Sequence, residues 1–438
     1  MSAPMTDTKP GKSEGSTAPY VARPQPRRAI VVGGSLCGLF AATLLHGAGW
    51  RVDIYERSSD DLSGRGAGIV THPELFEVLR RAGVRIGAEI GVEVRSRVTF
   101  ARNGDPIGEW PLRQILTAWG RLWRHLRAVF PPAHYHSGAT LTGIEQDERG
   151  VSAHFADGTV EDGDLLVGAD GIRSTVRRIF LPEVGPTYAG YVAWRGLVEE
   201  MALVEGVRRA LFEHLAFCLP PREQILGYPV AGADDEVKPG RRRYNFVWYR
   251  PADEVLDLPG LLTDSSGRLH RDGIPPNMVS RHLLDALRAD AARLLAPQFE
   301  EVVRLTAQPF IQPIYDLESP RMSFGRVILL GDAAFVARPH CGVGVTKAAG
   351  DALCLADTLR DGTRPIAAAL AQVETVRSAF GRSMVAHARR LGAYMQAQIK
   401  APEDRIMAER YRSPEAVMRE TAIPLPEMEQ RIRALLEP

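Results

Sequence analysis

Six residues, Gly33-Gly34-Ser35-Leu36-Cys37-Gly38, end an apolar run, and an acid, Glu56, stands about twenty residues further on. Gly33 permits a tight turn, and Gly38 lets a following helix pack closely on the preceding strand. Ser35 stands where the middle glycine of G-x-G-x-x-G is usual; it is small, and its hydroxyl could donate to phosphate. Free N–H groups at the helix start, from Gly34 to Leu36, suit a pyrophosphate. Glu56 can accept hydrogen bonds from a ribose diol, with Arg57 beside it. Two further strand ends carry an aspartate among small residues: Val167-Gly168-Ala169-Asp170-Gly171 and Leu330-Gly331-Asp332-Ala333-Ala334. Ligands bind at such ends in open α/β sheets. A loop, Arg338-Pro339-His340-Cys341-Gly342-Val343-Gly344-Val345-Thr346, follows the second of them. Glycines entering a helix there would present N–H groups to an electron-rich partner such as a ring carbonyl.

These residues need particular elements to hold them. Ala29–Val32 reads as a buried strand, followed by a small-residue helix and a second strand at Arg51–Tyr55. That order is the dinucleotide-binding unit; an ordinary glycine-rich βαβ unit is the plain alternative. Ala29–Leu45 is short for a membrane span and is broken by adjacent glycines. Three glycines in Ser63–Gly68 suggest backbone, including Gly68, lying against a flat ligand. Helices are expected at about Pro73–Ala82, Trp119–Phe130 and from Lys347 to Leu359, and strands at Leu165–Val167 and Arg326–Leu330. A basic helical turn, Thr175–Ile179, follows Ser174.

Residues 186–311 change character. Tyr188–Gly196, Leu215–Leu219, Gln224–Val230 and Tyr244–Tyr249 alternate or run apolar at strand length, which predicts a β-rich domain inserted into the first. Arg241–Arg243 read as a strand edge facing water. The fold class expected is therefore α/β: a Rossmann-like domain (28–90, 111–185 and 318–365), an inserted β-rich substrate domain (91–110 and 186–317) and C-terminal helices (366–438) built on stretches such as Val376–Ile399. Residues 1–27, rich in Ser, Thr, Pro and Lys, read as a disordered tail.

Composition narrows the partners. A net charge of +1 over 438 residues gives no reason to expect nucleic acid or an anionic membrane. Cys37, Cys218, Cys341 and Cys354 fall in no metal-binding or CxxC spacing and read as reduced thiols of a soluble, cytoplasmic protein, with no metal expected.

Together, the GGSLCG turn with Glu56, the VGADG strand end and the LLGDAA…RPHCGVGVTKA segment resemble the three FAD signatures of the single-component aromatic-ring hydroxylases, the p-hydroxybenzoate hydroxylase group. The resemblance runs from about Arg28 to Leu359. YAGYVAWRG, SGRGAGIV and RPH resemble more closely its dihydroxypyridine-hydroxylase branch. This likeness implies that Gly33, Gly34, Ser35, Leu36 and Gly38 hold the FAD pyrophosphate and that Glu56 and Arg57 lie at the adenosine ribose. It implies Asp170 near the pyrophosphate and pyridine-nucleotide path, and Gly331-Asp332 at the ribityl chain. Gly342, Gly344 and Val345 would face the flavin pyrimidine edge, with Gly68 a further contact. Pro339 and His340 would lie beside the isoalloxazine and the substrate. The wider group has Pro-Pro where this chain has Arg338-Pro339, and Trp119 replaces a helical arginine that often contacts FAD.

The implied chemistry is transient NADH or NADPH binding, reduction of FAD, reaction with O2 to a flavin C4a-hydroperoxide, and attack on a ring carbon activated by an ionised hydroxyl. No second dinucleotide turn is present for a separate NAD domain. His340 is the candidate for moving the substrate proton, its ordinary pKa suiting acid–base work near neutrality. Tyr191, Arg195 and Tyr228 are candidates for binding ring oxygens, with His340 also in the substrate set. A homodimer is implied by the likeness. Competing readings are a halogenase or oxidase on the same scaffold, although no Trp-x-Trp-x-Ile-Pro run is present, and a nucleotide-binding protein without turnover.

Overall fold

The computed structural model describes residues 26–64, 68–87, 90–233, 235–271, 273–274, 276–399 and 402–423. The expected tail and Arg65-Gly66-Ala67 of the glycine-rich loop thus lie outside the described residues, apart from residues 26 and 27.

The nucleotide-binding layer is a six-stranded sheet built on Arg28–Val32, four of whose five residues are buried. A continuous apolar run suits a strand covered on both faces. Arg51–Glu56 and Leu165–Gly168 flank it in parallel; Val327–Leu329 extends one side and Tyr135–Ser137 the other. Ser323–Phe324 adds an antiparallel edge. Register places Val32 level with Gly168, and Gly168 level with Leu329. Three segments far apart in sequence therefore leave the sheet at one edge. The helix Leu36–Gly47 packs on the helix Gly344–Leu359, which begins three residues before the expected Lys347. A separate three-stranded meander spans Leu141–Gln146, Val151–Phe155 and Val160–Gly163.

The second sheet has nine strands, in the order Phe335–Val336, Phe310–Glu318, Thr187–Glu199, Arg243–Pro251, Gln224–Val230, His214–Cys218, Val92–Phe100, Pro106–Ala118, Gly68–Val70. Its period-two pattern sorts side chains cleanly onto two faces. Val192, Trp194, Phe246 and Trp248 join one core, which the helices Arg281–Leu294 and Pro297–Leu305 cover. Tyr191, Ala193, Val247 and Tyr249 point to the other, shared with Ile366–Leu391 and the C-terminal helices Pro402–Tyr411 and Pro414–Glu420.

Two expectations need correction. Pairing assigns Gly68–Val70 and all of Pro106–Ala118 to the second sheet, because one unbroken strand carries Leu116–Ala118 to its edge partner; a boundary at 110 cuts through it. The arginines at the start of Arg243–Pro251 do not simply face water. Arg242 forms a two-pronged pair with the buried Glu200, and Arg243 donates to the carbonyls of Ala231 and Gly232. The long C-terminal helix spans Ile366–Leu391, from the expected start of the helical region to Gly392.

Glu200 also accepts from the N–H groups of Gly240 and Arg242; against burial, the Arg242 guanidinium first and these N–H groups second hold its carboxyl below the usual range. Glu200→Ala would strand the Arg242 guanidinium, so urea denaturation should show a loss of about 3 kcal/mol. A change within about 0.5 kcal/mol would mean that the pair contributes nothing net.

Candidate active site

The glycine turn sits where the first strand meets its parallel neighbour. Gly33 has φ +108°, and a Cβ there would lie 2.4 Å from the Ala169 carbonyl oxygen. Glycine is therefore required for both conformation and space. The Gly34 peptide is pinned from both sides. Its N–H donates to Glu56 Oε2 at 2.7 Å, while its carbonyl accepts from Trp123 Nε1 at 3.0 Å and Tyr135 Oη at 3.1 Å. Glu56 Oε1 takes the Ser58 N–H at 2.8 Å, so the carboxylate is fixed at the rim. Ser35 begins the helix without using its hydroxyl as a cap.

A cavity of about 640 Å³ opens from this turn. Gly33, Ser35, Leu36, Glu56, Arg57, Gly68, Asp170, Asp332, Gly344 and Val345 line it, and Trp119 stands on its wall. The following arginine, Arg121, turns away to the Asp235 carbonyl. Asp170 Oδ2 accepts from the N–H groups of Thr175 and Val176, so part of its role is to cap the short helix Thr175–Phe180. Its Oδ1 is buried without a partner, and burial pushes the carboxyl up. Buried Arg177 ties the two aspartate-bearing ends together, donating to Ile172 O at 2.6 Å and Ala333 O at 2.9 Å.

Lys347, its side chain 1% exposed, places Nζ 3.9 Å from both Asp332 and Asp351. Asp351 in turn accepts from the Gly331 N–H and from Arg377. Sequence reasoning missed Arg177 and Lys347. Arg177 lies in the helix start after the Asp170 strand end and Lys347 in the helix start after the His340 loop, and that proximity was the available signal.

A second chamber of about 260 Å³ adjoins the first. Gly68, Ile69, Arg195, Gln312, Asp332, Gly344 and Val345 line both spaces. The chamber adds aliphatic walls from Leu215, Leu226, Val247 and Ile314, with Tyr228, Tyr249, Pro339, His340 and Gly342. Arg195 Nη1 donates to Gln312 Oε1 at 2.7 Å, and its Nε is buried without a partner. Burial pushes the Tyr228 hydroxyl up to about 12, which keeps it a donor. Gly331 lines neither space; its N–H holds Asp351. Neither does Gly34 or Gly38, which act from behind.

Tyr191 is the one substrate candidate that the geometry moves. It is 0% exposed and lies behind His340, its Oη 2.9 Å from His340 Nε2. Period-two alternation placed it on the correct face, but the His340 loop covers it. His340 itself is buried, with Nδ1 lacking a partner. Burial, then Arg338 and His387, hold its pKa well below the ordinary value, so the ring is neutral. Arg338, at the position where the wider group has proline, forms a buried bidentate pair with Asp316 at 2.9 and 2.8 Å. Among the described residues no group of His, Cys, Asp or Glu is placed to hold a metal ion, and no helix is long and apolar enough to cross a membrane.

Residues 27–107 match the family described as FAD binding domain, and residues 188–316 match FAD binding domain-like. The chain is 35% identical over 334 residues to 2,6-dihydroxypyridine 3-monooxygenase of Paenarthrobacter nicotinovorans, covering 76% of this chain and 83% of that protein. Among solved structures, 2,6-dihydroxypyridine-3-hydroxylase from Arthrobacter nicotinovorans superposes with a TM-score of 0.80 at 33% identity, covering 86% and 94% of the two chains. Klebsiella pneumoniae HpxO, solved with FAD and uric acid, gives 0.72 at 25% identity over 94% and 97%.

Two predictions follow from the geometry. Gly33→Ala should abolish FAD retention on gel filtration, since the new Cβ meets the Ala169 carbonyl in an unfavourable backbone conformation. His72, bonded through Nδ1 to Thr346 Oγ1 at 2.9 Å, has its pKa pushed down to about 4 by burial and then by Arg97. The unfolded chain then takes up this proton first, so stability falls as pH drops from about 6.5 towards 4, by about 3 kcal/mol in all. Urea denaturation across that interval measures the slope, and His72→Asn should flatten it.

Proposed function

This chain belongs to the FAD-dependent aromatic-ring monooxygenases, and we propose that it hydroxylates a small hydroxylated N-heteroaromatic ring of the 2,6-dihydroxypyridine type, using NADH or NADPH and O2. The observation that carries this reading is the shared wall: Arg195, Gln312, Asp332, Gly344 and Val345 border both the nucleotide cavity and the compact chamber. The residues present fit FAD. Gly33, Ser35 and Leu36 line the cavity at the helix start, Glu56 is fixed at the rim, and Asp170 Oδ1 is buried without a partner. When bound, FAD supplies the electrons from the nicotinamide donor and the activation of O2.

Gly33, Ser35 and Leu36 would hold the pyrophosphate, Glu56 and Arg57 the adenosine ribose, Asp332 the ribityl chain, and Gly344 and Val345 the flavin edge. The chain's further work is binding, orientation and proton handling. Apolar walls at Leu226, Val247 and Ile314 seat the ring face and exclude water. Arg195 Nε and the Tyr228 hydroxyl donate to a ring oxygen and favour its ionised form, which raises electron density on the ring carbon that reacts. His340 relays the hydroxyl proton as it leaves; burial holds its pKa well below the ordinary value, so the proton passes on and does not stay on the ring. In the tautomer whose Nε2–H donates to Tyr191 Oη, the Nδ1 lone pair is the free acceptor. Tyr191 is then a positioning residue that sets the tautomer, and Pro339 begins the turn that presents the histidine.

The test is NADH and NADPH oxidation by the FAD-loaded protein with and without 2,6-dihydroxypyridine, following hydroxylated product and peroxide. Ring-stimulated oxidation with product is expected. His340→Gln should retain FAD and lose about 100-fold in kcat; unchanged turnover would remove His340 from the mechanism. No stimulation by 2,6-dihydroxypyridine or by a panel of phenols and hydroxypyridines would overturn the reading.

A further inference from the structure

The chamber has a wall that none of the signature motifs supplies. Thr421 and Ala422, immediately beyond the helix Pro414–Glu420, line it together with Arg195, Tyr228 and His340. Their placement is over-determined. Arg97, on the strand Val92–Phe100 and 0% exposed, donates to the carbonyls of Met418 at 2.6 Å, Thr421, and Ala422 at 2.7 Å. Gln114 on the neighbouring strand joins it, accepting from Arg97 Nη2 at 2.7 Å and donating to the Ala422 carbonyl at 3.0 Å. These bonds satisfy carbonyls that a helix end leaves open, and a cation suits that end of the helix dipole.

Two further observations show that the segment is held against the site at a cost. Ala422 adopts φ +49°, a left-handed conformation that a residue with a Cβ rarely takes. Such strain persists where surrounding contacts impose it, and it gathers at ligand sites. On the other side Ala422 presses on the loop after His340: a Cβ on Gly342, itself at φ +70°, would lie 2.4 Å from the Ala422 Cβ. A wall clamped through its backbone cannot readily withdraw to admit a larger ligand. The chamber's volume of about 260 Å³ falls just below the usual range for ligand pockets, about 300–1,000 Å³.

We propose that Thr421 and Ala422 determine specificity by limiting the chamber to a single ring, and that Arg97 is the positioning residue that fixes them. This rests on the reading of the chamber as a ring-hydroxylation site.

The experiment compares FAD-loaded wild type, Ala422→Gly, Arg97→Met and Arg97→Lys on 2,6-dihydroxypyridine and on the fused two-ring 2,4-dihydroxyquinoline. Ala422→Gly, which enlarges the chamber and relieves the backbone, should raise the two-ring to one-ring ratio of kcat/KM about tenfold. Arg97→Met should keep its FAD, raise KM for the one-ring compound and release about threefold more peroxide per NAD(P)H, with partial recovery in Arg97→Lys. Trypsin cleavage after Arg419 should also quicken in Arg97→Met, a readout independent of turnover. An unchanged ratio in Ala422→Gly overturns the specificity claim. Wild-type coupling and cleavage in Arg97→Met overturn the positioning claim; if Arg97→Met fails to fold, the Ala422→Gly ratio decides alone. A wild type that hydroxylates neither ring nor any of the panel overturns the functional reading and this inference with it. Wild-type activity with unaltered variants overturns only the inference.

Discussion

Parallel register in the six-stranded sheet is the constraint on which the rest of this molecule depends. Because Val32, Gly168 and Leu329 stand level across three strands, the glycine turn, the Asp170 end and the Asp332 end emerge at one edge. Parallel strands end with backbone groups that the ladder does not use, and the turn after the first strand brings a helix N-terminus to the same place. Slippage of one residue would turn Ala29–Val32 inside out and separate Gly33 from Ala169. Arg177 reinforces the alignment by bonding to chain on both aspartate-bearing ends.

The second sheet answers a different requirement. Its strands, antiparallel except for the parallel pair Val92–Phe100 and His214–Cys218, alternate residues between two cores, one face given over to stability and the other to the chamber. Trp194, Phe246 and Trp248 are buried beneath the helices Arg281–Leu294 and Pro297–Leu305. On the opposite face Arg195, Tyr228, Val247 and Tyr249 meet the His340 loop and the C-terminal segment. Lining residues therefore come from the sheet, the loop and residues 421–422, three parts of the chain that fold together only when both layers are in place. The cavity at the glycine turn and the chamber share Gly68 and Ile69 because Gly68–Val70, although it follows the nucleotide unit in sequence, is an edge strand of the second sheet.

Much of this was legible from residue order. Glycine spacing, apolar runs and strand-length alternation located the turn, the two aspartate ends and four strands of the second sheet, because these features depend on local conformation and period. Long-range partners were not legible. Tyr191 alternates in step with Arg195, and nothing local reveals that His340 covers one and leaves the other on the wall. Arg242 reads as solvated until Glu200 is brought beside it. Arg97 sits in an alternating strand like any charged residue, yet the carbonyls it holds lie more than 300 positions further along the chain. Arg338 departs from the proline usual in the family, and only the fold supplies Asp316 to pair with it.

The central claim is that a ring bound in the chamber lies against the flavin, with Arg195 at the boundary. Titrating 2,6-dihydroxypyridine into the FAD-loaded protein and recording the flavin visible absorbance tests it most directly. A saturable shift of the flavin bands is predicted for the wild type, with the apparent Kd weakened about tenfold or more in Arg195→Met at unchanged FAD content. Saturable ring binding by calorimetry that leaves the flavin bands unmoved would contradict the account, because the ring would then sit elsewhere.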